Sequence, residues 1–142
     1  GALALGAKKV FFVDIDAGAL EIAKDNLKFL EKIFHLKLSA SFTCKAISFF
    51  TQKVDVVFQN PPFGTKNVHA DKAFLEKALE TAHIVYSFHK FSTQKFVEGF
   101  AEKKGFQIVE IYRYKFPVKA QFDYHISRVK DIDVGCWCLE KN

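Results

Sequence analysis

Apolar residues recur along the chain in two alternating rhythms. Val10–Val13 is a short apolar run that stops at Asp14, which predicts a buried strand. Asp16 then caps a helix beginning at Ala17, with Leu20, Ala23, Leu27, Leu30 and Phe34 on one face. A strand is expected at Lys37–Phe42, followed by a connection over 43–53. Val54, Val56, Val57 and Phe58 form a near-continuous apolar strand that ends at Gln59, as a parallel strand buried on both faces does. A polar loop over 64–70 leads to a helix capped by Asp71, with Phe74, Ala78 and Ala82 as its apolar stripe. Ile84–Ser87 reads as a short strand. Ser92 opens a helix through Lys104 that Gly105 closes, with Phe96 and Phe100 turned inward. Phe106–Tyr114 and Val129–Leu139 alternate as a closing pair of strands. Strand–helix alternation followed by two adjacent strands predicts an α/β fold: a doubly wound, mostly parallel sheet with an antiparallel C-terminal strand.

The chain has 142 residues, enough for one domain with a real core, and 49% of them are hydrophobic, including 17 Phe. The net charge of +5 favours an anionic partner. It is carried almost entirely by Lys, which suits phosphate contact better than bidentate reading of bases. No apolar stretch reaches membrane-spanning length and no signal peptide is visible. Cys44, Cys136 and Cys138 lack metal-ligand spacing. Cys136 and Cys138 flank Trp137 on a strand, where they read as packed, reduced thiols of a cytoplasmic protein. The five His form no metal cluster.

Ala2–Leu5 reads as the last turn of a helix with Gly6 as its cap. A helix tail feeding a strand normally follows an earlier strand. The chain has no Met and no Gly-x-Gly, so a single domain lacking its N-terminal part and first cofactor-binding loop is expected.

The chemistry concentrates where the Val54–Gln59 strand ends, in Asn60-Pro61-Pro62-Phe63-Gly64. Neither proline can donate to a ladder, so pairing stops there. Open α/β sheets bind ligands at the C-terminal edge of their strands. The lone pair of a planar exocyclic amine is delocalised, so the amine must be held in line with its electrophile. The Asn60 side-chain oxygen and the Pro61 carbonyl can accept its two N–H bonds, giving orientation and preorganised electrostatics without a strong base. Phe63 can stack on an extruded base. The same residues also suit a plain strand terminator with Phe63 as core filling. Asp14 ends a strand where such folds place a carboxylate for ribose hydroxyls, Asp16 is the cap, and Ile15 can cover one face of an adenine. Both acids also suit an ordinary loop. Thr65 and Lys66 can form the lip of a base pocket, and Lys90 can meet a phosphate. His89 reads as a surface histidine, since no general base is required. Tyr112–Phe116, and Tyr124-His125 through Lys130, interleave aromatic and basic residues. That pattern suits nucleic acid or a solvated amphipathic strand equally.

Asp55-x-Val57-x-x-Asn60-Pro61-Pro62-Phe63-Gly64 is similar to the amino-methyltransferase motif of S-adenosylmethionine-dependent enzymes. With Thr65-Lys66, Ala70-Asp71, Phe74-Leu75, Val85-Tyr86-Ser87, His89-Lys90 and Tyr124-His125, the chain resembles the methyltransferase-like protein five family over nearly its whole length. The resemblance implies a Rossmann-like, S-adenosylmethionine-dependent methyltransferase acting on adenosine N6 in structured RNA, that of the small ribosomal subunit. Asn60, Pro61, Pro62 and Phe63 would be catalytic. Asp14, Ile15, Ala46, Ile47 and Asn60 would bind cofactor, and Phe63, Thr65, Lys66 and Lys90 would bind substrate. It also implies a small zinc-ribbon activator subunit as partner. The family carries an acid at the tip of the next strand, where this chain has Lys45-Ala46-Ile47. Either cofactor binding is weaker or the backbone of Ala46 and Ile47 performs it. Methylation of DNA adenine or of a protein glutamine uses the same motif chemistry. A non-catalytic RNA-binding module would lack cofactor binding.

Overall fold

The computed structural model describes residues 1–62, 70–118 and 130–142. They form two compact units, Gly1–Phe50 and Thr51–Asn142.

The first unit contains strand β1 (Val10–Asp14), helix α1 (Ala17–Phe34) and strand β2 (Ala40–Cys44). A short 3-10 turn over Ala2–Leu5 precedes β1 and closes on Gly6, whose φ of 95° is in the left-handed region that favours glycine. The Asp16 carboxylate accepts from the backbone N–H groups of Gly18 at 2.8 Å and Ala19 at 3.4 Å, so the expected N-cap is present. α1 ends at His35, itself left-handed at φ 51°. β1 and β2 pair in parallel, Val10 opposite Ala40 through Asp14 opposite Cys44. β2 therefore lies later than the expected 37–42. The Glu31 carboxylate accepts the Leu38 N–H at 2.9 Å, which ties the early residues of that segment back to α1 and delays the strand.

The second unit is a four-stranded sheet with two helices. Its elements are β3 (Val54–Gln59), α2 (Ala70–Thr81), β4 (Ala82–Lys90), α3 (Gln94–Lys103), β5 (Phe106–Val118) and β6 (Lys130–Lys141). The spatial order is β3-β4-β6-β5. β3 and β4 are parallel, while β6 runs antiparallel to both β4 and β5. α2 begins one residue before Asp71, which therefore sits in the helix's first turn instead of capping it. β4 follows α2 directly and spans nine residues, more than twice the expected four. β5 and β6 are also longer than expected, at 13 and 12 residues.

The core of this unit is Leu75, Ala78 and Leu79 of α2 and Val97 and Ala101 of α3, packed on Val85, Phe106, Trp137 and Leu139 of the sheet. Phe100 packs against this cluster from its edge. Phe96 does not point inward: it is exposed and stacks on Phe100 at 5.8 Å, because Val97 and Ala101 take the inward face of α3. Cys136 and Cys138 share the opposite face of β6 from Trp137 and are buried free thiols, as the alternation predicts. No helix among the described residues is long and apolar enough to cross a membrane.

Candidate active site

Three of the four motif residues are described: Asn60, Pro61 and Pro62 leave the C-terminal end of β3. Phe63, Thr65 and Lys66, and the Tyr124-His125 pair, lie outside the described residues. β3 pairs with β4 from Val54 opposite Ala82 to Gln59 opposite Ser87, and pairing stops at the prolines. Asn60 is exposed, Pro61 is buried and Pro62 is exposed. The buried Pro61 ring anchors the turn, while the Asn60 amide remains accessible. β3 differs from expectation in one respect. It is an edge strand of its sheet, with Val56 41% and Phe58 66% exposed, not a strand covered on both faces. Phe58 lies flat on Tyr86 of β4, centroids 4.6 Å apart and planes 4° from parallel.

On the other face of the same strand pair is a polar group that includes His89, expected at the surface. His89 is 1% exposed and Ser87 is fully buried. β4 continues three residues past its expected end, so residues 85, 87 and 89 all face the core. Ser87 Oγ lies 2.9 Å from Gln59 Nε2 and 2.7 Å from His89 Nε2. The His89 ring meets Trp137 edge-on at 5.9 Å. Desolvation pushes the His89 pKa down to about 4; the Asp71 carboxylate opposes this but has the smaller effect. The ring is neutral at physiological pH. Period-two alternation from the buried Val85 was the signal that could have found Ser87 and His89, had the strand been drawn longer.

Lys90 ends β4 on the motif's side of the sheet. With Phe91, Ser92, Asp131, Ile132 and Asp133 it lines an open depression of about 550 Å³. Two carboxylates share that depression with the ammonium, so the local field is not simply cationic. Arg113 borders it and offsets one of the carboxylates: its guanidinium lies over the Phe91 ring at 4.2 Å and pairs with Asp133 at 3.0 Å.

The four described cofactor candidates outside the motif all belong to the first unit, and the β1–β2 ladder brings them together. Asp14 ends β1 and is exposed; its Oδ1 accepts the Asp16 N–H at 2.9 Å in a tight turn. Ile15 is 76% exposed. The Lys45 N–H donates to the Asp14 carbonyl at 3.0 Å, and the Cys44 thiol reaches the Ile15 carbonyl at 3.6 Å. These bonds hold the loop carrying Ala46 and Ile47 against the end of β1. Asp14 Oδ2 accepts no bond from the described residues, so a carboxylate oxygen beside an exposed aliphatic face is available to a polar, flat ligand.

Residues 1–110 match the family model described as conserved hypothetical protein 95. The chain is 36% identical to an uncharacterized protein of Methanocaldococcus jannaschii, over 99% of this chain and 67% of that one. It is 34% identical to the rRNA N(6)-adenosine-methyltransferase METTL5 of Danio rerio, over 94% of this chain and 65% of that protein. Its fold matches the crystal structure of a Pyrococcus horikoshii protein provisionally designated an RNA methyltransferase. The TM-score is 0.81 at 34% identity, covering 99% of this chain and 67% of that one. The chain thus spans about two thirds of the length of these proteins, 65% in the case of the Danio rerio enzyme. The α/β fold is Rossmann-like, of the methyltransferase type.

Proposed function

The chain belongs to the conserved hypothetical protein 95 family, and from that membership we propose that it is the core of an S-adenosylmethionine-dependent methyltransferase acting on adenosine N6 in structured RNA, with small-subunit ribosomal RNA as the substrate. One observation carries the reading: Asn60 is presented, exposed and anchored by a buried Pro61, at the C-terminal end of a parallel strand. When bound, S-adenosylmethionine supplies an electrophilic methyl carbon. Its adenosine part would be held by the first unit, where Asp14 would accept ribose hydroxyls, Ile15 would cover the adenine, and backbone groups of Ala46 and Ile47 would take the place of the missing acid.

The second unit handles the target amine. The Asn60 side-chain oxygen and the Pro61 carbonyl accept the two N6–H bonds, and Pro62 keeps the turn rigid. The N6 lone pair would thereby be left free for a methyl electrophile. Methyl transfer to N6 would release the cofactor's sulfur as its leaving group, and the surplus N6 proton would depart to solvent. Developing positive charge on N6 meets two preorganised carbonyl dipoles, which makes the interaction stronger in the transition state than in the ground state. Phe63 stacks on the extruded base, Thr65 and Lys66 form the lip, and Lys90 contacts phosphate.

A small zinc-ribbon activator subunit belongs to the same proposal, supported by the family resemblance. So does cytoplasmic action, which suits the free thiols of Cys44, Cys136 and Cys138. The test incubates the protein, with and without the activator, with methyl-labelled S-adenosylmethionine and separate pools of ribosomal RNA, DNA and protein. Label recovered as N6-methyladenosine in small-subunit RNA is expected. Label on DNA alone or on a glutamine overturns the substrate assignment, and no label despite cofactor binding overturns the activity.

A further inference from the structure

We propose that Gln59, Ser87 and His89 are positioning residues: a buried hydrogen-bonded chain that fixes the end of β3 from which Asn60 projects. The inference rests on the role given to Asn60 above and extends it to three residues that touch neither substrate nor cofactor.

Polar side chains placed against an apolar core are costly unless paired. Ser87 is fully buried, His89 is 1% exposed, and Gln59 is half-buried beside them. An apolar residue at position 87 or 89 would extend the core of Val85, Leu139 and Trp137 without that cost. The three groups instead bond to one another in series. The Gln59 amide can only donate from Nε2, so Ser87 Oγ accepts it at 2.9 Å. Ser87 Oγ also lies 2.7 Å from His89 Nε2, in a bond whose donor depends on the ring's tautomer. Burial keeps the ring neutral, and either neutral tautomer sustains that bond.

Both ends of the chain are tied. At the rear, the His89 ring stands edge-on to Trp137 at 5.9 Å. Trp137 occupies that place because the residue opposite His89 in the ladder is Gly135. A Cβ on Gly135 would lie 2.5 Å from the Trp137 ring. The indole nitrogen in turn reaches Glu98 of α3 at 3.5 Å. At the front, Gln59 is the last paired residue of β3. Pro61 and Pro62 have no N–H, so they cannot extend the ladder. The Gln59 side chain is the last side-chain tie, among the described residues, before Asn60.

A loose Asn60 oxygen would be a poor acceptor in the transition state, where angular error is costly. The network should therefore set the rate of methyl transfer and leave ligand affinities nearly unchanged. The test compares Ser87→Ala, Gln59→Leu, their combination, and Ser87→Ala/His89→Phe, which replaces two buried polar partners together and protects the fold. Each is measured in the full protein by amide hydrogen exchange and by single-turnover transfer from tritiated S-adenosylmethionine to a small-subunit ribosomal RNA transcript. Exchange of the Asn60 amide should rise tenfold or more while α2 and α3 stay as protected as in the parent. Transfer at saturating cofactor should fall tenfold or more, with the cofactor Kd within threefold. The Gln59→Leu/Ser87→Ala pair should be no slower than the slower single variant, because both cut one chain. Ser87→Ala added to Asn60→Ala should cost nothing further. Unchanged Asn60 exchange in a folded variant, or rate losses that multiply, overturns the network. Normal transfer by Asn60→Ala alone would instead overturn the functional reading, and the exchange result would still decide the network.

Discussion

At the scale of the residue, Asn60 and His89 illustrate opposite uses of a polar side chain. Asn60 is exposed, and in the proposed reaction its oxygen acts on an amine whose charge changes only during reaction. Asn60→Ala is therefore expected to slow turnover by about a hundredfold or more while leaving cofactor affinity near normal. Single-turnover kinetics beside calorimetric titration separates the two, and an equal loss in both would make Asn60 a cofactor ligand. Asp14→Ala is expected to do the reverse. It should weaken cofactor binding by about 1–3 kcal/mol through unpaired ribose hydroxyls, and alter the transfer step little. His89 is buried and held neutral, with its pKa lowered to about 4 from an ordinary 6.5. The sign of its pH effect follows. Above about 6.5 neither state carries the proton and the contribution is complete. As pH falls from there toward 4, the unfolded chain takes up a proton that the folded one refuses, and stability declines. At pH 5 the loss attributable to His89 should be about 2 kcal/mol relative to pH 7, as the difference in urea midpoint between the parent and His89→Phe.

At the scale of the element, the predicted order of strands and helices matches the structure because each rests on a strong local signal. The Asp16 cap placed the start of α1 to the residue. Removing it, as Asp16→Ala, should cost about 1 kcal/mol, seen as faster amide exchange in the first turn of α1. The prolines likewise placed the end of β3 and with it the candidate catalytic turn. The errors arose where partners, not sequence, decide an element's extent. β2 begins late because Glu31, seven residues upstream, captures the Leu38 N–H. β4 runs on past Ser87 because β6 supplies partners out to Val134 opposite Lys90. That extension turned His89 from an expected surface residue into a core one. Phe96 went outward because smaller residues, Val97 and Ala101, fit closer to the sheet. The positions of Asp14 and of the Asn60-Pro61 turn at strand ends were legible, since each ends an apolar run. The Gln59–Ser87–His89 chain was not, because it depends on a cross-strand register that only pairing reveals.

At the scale of the whole molecule, the two units are unequally built. Only Leu3 and Leu20 are buried hydrophobics in the first, whereas the second holds a continuous core around Trp137. Amides of β1, β2 and α1 should accordingly exchange faster than those of β4, β6 and α3. Saturating S-adenosylmethionine should slow the first set selectively, since Asp14, Ile15, Ala46 and Ile47 all lie there. Equal protection of both units without ligand would contradict this account of the core. The same asymmetry extends to light absorption. Residues 1–50 contain neither Trp nor Tyr, and the single Trp of the chain is residue 137, in the second unit. Excitation near 280 nm therefore sees the second unit alone, through an indole that touches the imidazole of His89. The first unit is optically silent but carries an exposed thiol at Cys44, at the end of β2, whereas Cys136 and Cys138 are buried. Indole emission and the labelling rate of Cys44 are thus two separate native gauges, one for the second unit and one for the first, with no probe needing to be engineered.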